Sequence, residues 1–297
     1  MQLQSKSRKY FSRFPSSLYP SGWFRVAFSN ELPLGKVMPL HYFGKHLLLF
    51  RTEDGTAQVK DAYCLHRGIH SDSGRKTHIQ MWSVCEIDGL IMVYYHPDKE
   101  SPSWKFPGIT GWTSQSWSAF TRRTWKVRTH IQDIGENNLH DIHFFSVHQP
   151  RFKSVSTKPV EINGPSFSRS LSTTVSLAEA LNFETRAELE FIQHGMGCVV
   201  IHSTMNLGRK LKTLAVALST PIDQNHIEVC LFVSSQKIFL GLVNIVLDRL
   251  GMNEVIDHFE REIQIFENKI YPKQMLLDEE DGPIGQYRDW AHQFYNS

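Results

Sequence analysis

The runs FETRAELEFI (183–192), GCVVIHSTM (197–205), KTLAVALST (212–220) and HIEVCLFVSS (226–235) follow one another with short breaks. Each run is short and rich in β-branched or aromatic residues, which is typical of strands. The breaks carry turn residues, namely His194-Gly195, Pro221 and Asn225. Together with one more such run, which starts near Ser166, they predict an antiparallel meander of five strands.

The end of the sequence has a helical pattern. We expect one helix over residues 238–250, an interruption at Gly251, and a second helix over residues 253–270 that ends before Pro272. In the second run the apolar residues fall on one face at the 3.6-residue period: Ile256, Phe259, Ile263, Phe266 and Ile270. A long helix packed over a curved antiparallel sheet is therefore expected.

Residues 22–95 predict a separate small β domain. Asp54-Gly55 and Asp88-Gly89 each lie between apolar runs, which is a strong hairpin signal. A stretch rich in Ser, Pro, Gly and Trp follows, roughly residues 96–118, and its lack of periodicity indicates a connection. The predicted fold class is α+β, with domains at 1–115 and 116–297.

Composition excludes several classes of function. A formal net charge of +2 with mixed signs gives no basic surface of the kind that nucleic-acid binding requires. The four cysteines are widely spaced, so no disulfide framework is predicted. The longest apolar run, residues 238–247, is far shorter than the ~20 residues of a membrane span, and no signal peptide is evident. These patterns predict a cytoplasmic protein.

A histidine-rich segment carries the most informative motif. Residues 136–148 read ENNLHDIHFFSVH, which resembles the ligand helix of Rieske non-haem iron oxygenases. The resemblance implies that His143 and His148 are two ligands of Fe(II) in a triad of two histidines and one carboxylate. Five helical residues turn about 500°, so the helix would have to end or bulge between them. The alternative is that each histidine only packs at a helix end.

Glu262 is the candidate for the third ligand. It lies at the border of the apolar stripe, where coordination would offset the cost of burying a carboxylate. The surrounding sequence EREIQIFENKIYPKQMLLDEEDGPIGQYRDWAHQFY resembles the C-terminal end of the ketosteroid 9α-hydroxylase and cholesterol 7-desaturase branch of that family. Those proteins usually have aspartate here. The alternatives are a glutamate paired with Lys or Arg, and Asp281 as the ligand.

Two neighbouring residues are predicted to belong to the catalytic site. In relatives an aspartate three residues before the first histidine ligand bridges towards the cluster of a neighbouring subunit. Here that position is His140, and Asp141 is displaced by one residue, a helical rotation of about 100°. His140 could instead form a hydrogen bond that orients His143 or His148.

The β domain resembles a Rieske domain that has lost part of its ligand set. A Rieske centre needs two cysteines and two histidines. Cys64 and His66 match the first half-site, but the second Cys-x-x-His pair is missing after Gly74, as a deletion would explain. His70, His78 and Cys85 are conceivable substitutes. We therefore expect mononuclear Fe(II), whereas an intact [2Fe-2S] cluster is doubtful.

The resemblance implies an oxidoreductase that uses dioxygen to hydroxylate or desaturate a steroid-like or other polycyclic apolar substrate. Electrons would come from a ferredoxin or reductase, or from a cluster-bearing homologous subunit, in an oligomer such as the trimer of relatives. The expected substrate contacts are Phe144, Phe145, Val199 and Leu214. The alternatives are a degenerate relative that binds an apolar ligand without turnover, and an iron-binding regulatory subunit.

Overall fold

The structure is a computed structural model of the 297-residue chain. It describes residues 11–12, 19–63, 80–109, 116–118, 120–137, 139, 152–178, 183–206, 208, 210–237, 242–269, 271–272 and 283–295.

The N-terminal part contains two three-stranded antiparallel sheets. The first has the order β2-β7-β6 and the second β3-β4-β5. Their strands are β2 (Gly22–Phe28), β3 (Val37–Tyr42), β4 (Lys45–Arg51), β5 (Ala57–Asp61), β6 (Ser83–Ile87) and β7 (Leu90–Tyr95). The predicted hairpin at Asp88-Gly89 is confirmed, because both residues have positive φ and connect β6 to β7. The hairpin at Asp54-Gly55 connects β4 to β5.

The C-terminal part is built on one eight-stranded antiparallel sheet. Its order is β10-β11-β12-β13-β14-β15-β8, and β9 also pairs with β11. The strands are β8 (Thr121–Val127), β9 (Phe152–Thr157), β10 (Glu161–Asn163), β11 (Ser166–Ala178), β12 (Phe183–His194), β13 (Cys198–Asn206), β14 (Lys210–Pro221) and β15 (Ile227–Ser235). The five-strand meander is confirmed as β11 to β15. Two short strands, β1 (Phe11–Ser12) and β16 (Tyr271–Pro272), pair with each other.

Among the described residues, three α-helices accompany the large sheet: α1 (Ile131–Asn137), α2 (Leu242–Asn268) and α3 (Ile284–His292). The predicted interruption at Gly251 is wrong, since α2 runs through it. A single helical glycine costs only about 1 kcal/mol, which a helix of 27 residues tolerates. α1 begins at Ile131, five residues before Glu136, the first residue of the segment that resembles the ligand helix. No helix in the described part of the chain is long and apolar enough to cross a bilayer.

The two faces of the large sheet have different partners. On one face, Cys198, Val200 and Leu214 pack in a core with Trp23 and Met92 of the N-terminal sheets. On the other face, Trp125 of β8 packs against Phe259 of α2, with ring centroids 5.0 Å apart. Alternation along each strand therefore assigns neighbouring residues to different partners.

An ion pair joins the N-terminal sheets to the large sheet. The guanidinium of Arg25, in β2, contacts the carboxylate of Glu228, in β15, and the Tyr42 hydroxyl donates to the same carboxylate at 2.9 Å. Thr220 donates to the backbone carbonyl of Arg25 at 2.6 Å. The two parts of the chain are thus held by polar contacts as well as by an apolar core. The domain boundary expected near residue 115 falls outside the described residues and stays a prediction.

Candidate metal centre

α1 approaches the sheet and α3 so closely that one of its positions requires glycine. A Cβ atom built on Gly135 would lie 2.0 Å from the Tyr287 hydroxyl oxygen and 2.4 Å from Oε1 of Gln193. These two side chains are joined by a hydrogen bond of 3.0 Å, which Nε2 of Gln193 donates to Tyr287. The start of α1 is fixed as well, because Thr129 donates to the Asp133 carboxylate at 2.8 Å.

Glu136, in the last turn of α1, is the centre of a buried cluster of charges. Its side chain is 3% exposed. Arg288 of α3 donates to both carboxylate oxygens, at 2.7 Å and 2.9 Å, and Lys269 donates to Oε2 at 3.0 Å. Lys269 also lies 2.7 Å from Asp133, and Gln132 donates to Glu136 at 2.9 Å. The two cations balance the two carboxylates, so this charge cluster can be buried without an unpaired charge.

The chain just beyond α1 is held from the sheet side. The carbonyl oxygen of Leu139 accepts a hydrogen bond of 2.9 Å from Nη1 of Arg169, which is 4% exposed and lies in β11. Leu139 itself is buried. The backbone is therefore fixed one residue before His140, where the predicted ligand segment begins.

Glu262 lies on the buried face of α2. It is 2% exposed and stands between Phe259 and Phe266, which are also buried. Nε2 of His258, one helical turn earlier, is 3.3 Å from Oε1 of Glu262. His258 was not among the residues predicted from the sequence, although its spacing of four residues from Glu262 puts both on one face of the helix. This pair is a buried carboxylate with an imidazole beside it.

Most of the predicted site residues lie outside the described part of the chain. These are His140, Asp141, His143, Phe144, Phe145, His148, Cys64, His66, His70, His78 and Asp281. Their roles stay predictions. Within the described ranges, no group of three or more His, Cys, Asp or Glu side chains could hold a metal ion. Glu262 is thus the one predicted iron ligand whose surroundings the structure describes.

The two described residues of the predicted substrate site lie on opposite faces of the sheet. Val199 pairs with Ala217, which pairs in turn with Leu231, and this row faces the helices. Leu214 is fully buried in the core shared with the N-terminal sheets. The sheet separates the two side chains, so Leu214 is not among the substrate contacts that we propose below.

Cys85, a conceivable substitute cluster ligand, lies in β6 as a free, partly buried thiol. Burial raises its pKa, and the charge of Asp88 raises it further. Because metals bind the thiolate, this environment disfavours Cys85 as a ligand.

Burial and neighbouring charges shift the pKa values of residues in the charge cluster. Burial alone would raise the pKa of Glu136, but hydrogen bonds from Arg288 and the charge of Lys269 lower it below its ordinary value. Burial alone would lower the pKa of Lys269, but Asp133 and Glu136 raise it. The contribution of Glu136 to stability is therefore present above about pH 4.5 and is lost in more acidic solution, while that of Lys269 is lost only in strong alkali.

His130, one residue before α1, has the largest shift near neutral pH. Its pKa is lowered from 6.5 to about 4, mainly by burial and also by the charge of Lys269, against the opposing charges of Asp133 and Glu136. Its ring stacks on Tyr295, with centroids 5.7 Å apart. His130 is therefore held in the neutral form in the folded chain.

We expect His130→Asn to reduce the loss of stability on mild acidification. Below pH 6.5 His130 becomes protonated in the unfolded chain, whereas in the folded chain it stays neutral down to about pH 4. Between pH 7 and pH 5 the wild type should therefore lose about 2 kcal/mol of unfolding free energy through this residue. Urea denaturation at both pH values measures the difference. Equal losses in variant and wild type would contradict this account of His130.

Comparison with known families gives two matches. The family profile described as 3-ketosteroid 9α-hydroxylase C-terminal domain matches residues 93–295, more than half of the chain. The profile of the Rieske [2Fe-2S] domain matches residues 22–87. Both matches agree with the resemblance that the sequence motifs carry.

Curated relatives are similar along nearly the whole chain. Cholesterol 7-desaturase nvd 2 of Ciona intestinalis is 25% identical over 355 residues, covering 98% of this chain and 75% of the relative. The 3-ketosteroid-9-alpha-monooxygenase oxygenase component of Rhodococcus rhodochrous is 25% identical, covering 93% and 81%.

Among solved structures, dicamba monooxygenase bound to 3,6-dichlorosalicylic acid superposes with a TM-score of 0.69 at 14% identity, covering 92% of this chain and 96% of the other. At this identity the likeness concerns the fold alone, and it agrees with the predicted α+β architecture.

Proposed function

Because the chain belongs to the 3-ketosteroid 9α-hydroxylase C-terminal domain family, we propose that it is a Rieske-type oxygenase or desaturase component with one ferrous ion. The proposed ligands are His143, His148 and Glu262. The two histidines follow α1 in the chain, and Glu262 lies in α2. Two imidazoles and one carboxylate suit Fe(II) and leave open positions for dioxygen.

The observation that carries the proposal is the burial of Glu262. A carboxylate that is 2% exposed on the sheet-facing side of a helix requires polar or ionic partners. His258 supplies one contact at 3.3 Å. Its imidazole is suited to orient the carboxylate, as partners of metal ligands usually do. Glu262 and His258 thus fit the roles of one carboxylate ligand and of the residue that orients it, and the two histidine ligands are proposed from the sequence motif.

A ferrous ion at this position would activate dioxygen with electrons that are delivered from outside the site. The chain's own residues would shape and dry the site. Phe259 and Phe266 flank Glu262 on α2 and are both buried, so they exclude water from the carboxylate. Arg169 holds the backbone at Leu139, one residue before His140 in the chain.

We propose that electrons come from a partner. Cys64 and His66 supply only half of a cluster site, and the environment of Cys85 disfavours a replacement ligand. The alignment with the Ciona relative is longer than this chain, so that relative has segments which this chain lacks. The Rhodococcus relative is named as an oxygenase component. A ferredoxin or reductase, or a cluster-bearing homologous subunit within a trimer, would fit this role.

The helix-facing side of the sheet suits an apolar polycyclic substrate. In its central strands Leu189, Ile201, Ala215 and Val233 are only partly buried, although they face the same side as the packed Leu231. Ala215 pairs with Ile201 of β13 on one side and with Val233 of β15 on the other. Its small side chain leaves space between these two larger side chains. A partly open, mostly apolar surface of this kind is typical of small-molecule sites. We therefore propose a steroid-like substrate next to Val199 and Ala215.

Iron content tests the ligand set. Anaerobically purified wild-type protein is expected to hold about one iron per chain and no acid-labile sulfide, because only the mononuclear site is complete. His143→Ala and His148→Ala should each remove most of this iron, whereas His41→Ala, at an exposed position in β3, should not. Unchanged iron in both ligand variants would refute the assignment, and stoichiometric sulfide would show an intact cluster.

Substrate binding tests the proposed surface. Ala215→Phe is expected to weaken the binding of cholesterol or a 3-ketosteroid at least about tenfold, because the ring fills the depth between Ile201 and Val233. Lys212→Phe adds the same ring to the same strand at an exposed position and is the matched control. Equilibrium binding with labelled sterol gives both affinities, and single turnover of the chemically reduced iron protein reports oxidised product.

Equal affinities in the two variants would show that the substrate does not bind at this surface. Binding without any oxidised product would favour a chain that holds an apolar ligand without turnover.

A further inference from the structure

α2 carries Glu262 on its buried face and is followed directly by Lys269. Glu262 and Lys269 are seven residues apart, which is two helical turns and about 10 Å along the axis. Lys269 lies directly after the last residue of α2, Asn268, and its backbone N–H donates to the Phe266 carbonyl. The position of the Lys269 ammonium group is therefore linked to that of Glu262 through a rigid element.

The ammonium group of Lys269 is fixed at its other end by α1. It lies 2.7 Å from Asp133 and 3.0 Å from Glu136, whose side chains are 4% and 3% exposed. Asp133 and Glu136 are one helical turn apart, so Lys269 bridges the last turn of α1. Arg288 of α3 holds both oxygens of Glu136 from another direction. The charge cluster thus joins α1, α3 and the residue that directly follows α2.

We propose that Lys269 and Arg288 are positioning residues, which set the distance between the two chain segments that hold the iron. This inference rests on the proposed function, since it takes Glu262 from α2 and His143 and His148 from the segment after α1 as the ligands. Ion pairs with two partners each define both position and orientation, which a single contact would not do. Because every member of the charge cluster is mostly buried, the surrounding water does not weaken it as it weakens surface pairs.

A positioning role and a purely structural role lead to different results. If the charge cluster only stabilises the fold, its loss lowers the unfolding free energy but leaves the metal affinity of the folded protein unchanged. If it sets the ligand distance, its loss also weakens metal binding and alters the coordination geometry. Metal affinity and the metal spectrum therefore separate the two roles without recourse to enzyme activity.

The test uses Co(II) as a spectroscopic probe in the full-length, iron-free protein. We expect Lys269→Met to weaken Co(II) binding about 10–100-fold and to change its visible absorption bands, as the loss of partners outside the ligand set does in other metal sites. Arg288→Lys keeps the charge but not the two-point contact with Glu136, so it should cause a smaller loss in the same direction. Denaturation curves of the metal-free variants identify the conditions under which each is folded.

Arg123→Met is the matched control. Arg123, in β8, forms an ion pair of 3.0 Å with Glu260 of α2, and this pair is largely exposed. The pair joins α2 to β8 rather than to α1. This variant should bind Co(II) with wild-type affinity. Wild-type affinity and spectrum in folded Lys269→Met would overturn the positioning role alone. If Lys269→Met does not fold, the same result in Arg288→Lys would overturn it.

Failure of the proposed function is distinguishable from failure of this inference. If the wild type binds no Co(II), or binds it equally well after His143→Ala, the ligand set is wrong and the positioning role is overturned with it. If the wild type binds Co(II) through His143, only the Lys269 and Arg288 variants decide the positioning role.

Discussion

The burial of the Glu136 carboxylate constrains the whole helical side of the protein. Removing one partner from a buried ion pair typically costs about 3–5 kcal/mol, because the remaining charge is left without compensation. Glu136 therefore requires Arg288 and Lys269 to stay in place, and these residues belong to or directly follow α3 and α2. The relative positions of α1, α2 and α3 therefore depend together on this one charge cluster. Of the proposed iron ligands, Glu262 lies in α2, and His143 and His148 follow α1 in the chain.

The large sheet supports this arrangement by giving its two faces different tasks. Residues such as Val200 and Leu214 attach the N-terminal sheets, whereas Gln193 and Trp125 on the other face contact α3 and α2. The helix-facing surface also takes part in this attachment, because Leu231 belongs to one core with Phe24 and Val93 of the N-terminal sheets. That surface remains partly open at Ala215, where we propose the substrate to bind.

Local patterns predicted the local elements well. The hairpin at Asp88-Gly89, the five-strand meander and the burial of Phe259 and Phe266 follow from turn chemistry and apolar periodicity. The break expected at Gly251 was wrong because a glycine signal is weak against packing along a 27-residue helix. The partners of Glu136 could not be predicted, since Lys269 and Arg288 are more than 130 residues away in the chain. His258 was missed although its spacing from Glu262 is a local signal.

We propose that the chemistry belongs to one ferrous ion and that the electrons come from a partner, because Glu262 is a buried carboxylate beside His258 and only Cys64 and His66 match the cluster motif. X-ray absorption at the iron edge of anaerobically reconstituted protein tests this most directly. We expect a first shell of nitrogen and oxygen only, which loses part of its nitrogen contribution in His143→Ala. Sulfur neighbours with a second iron nearby, or a shell unaffected by His143→Ala, would contradict the account.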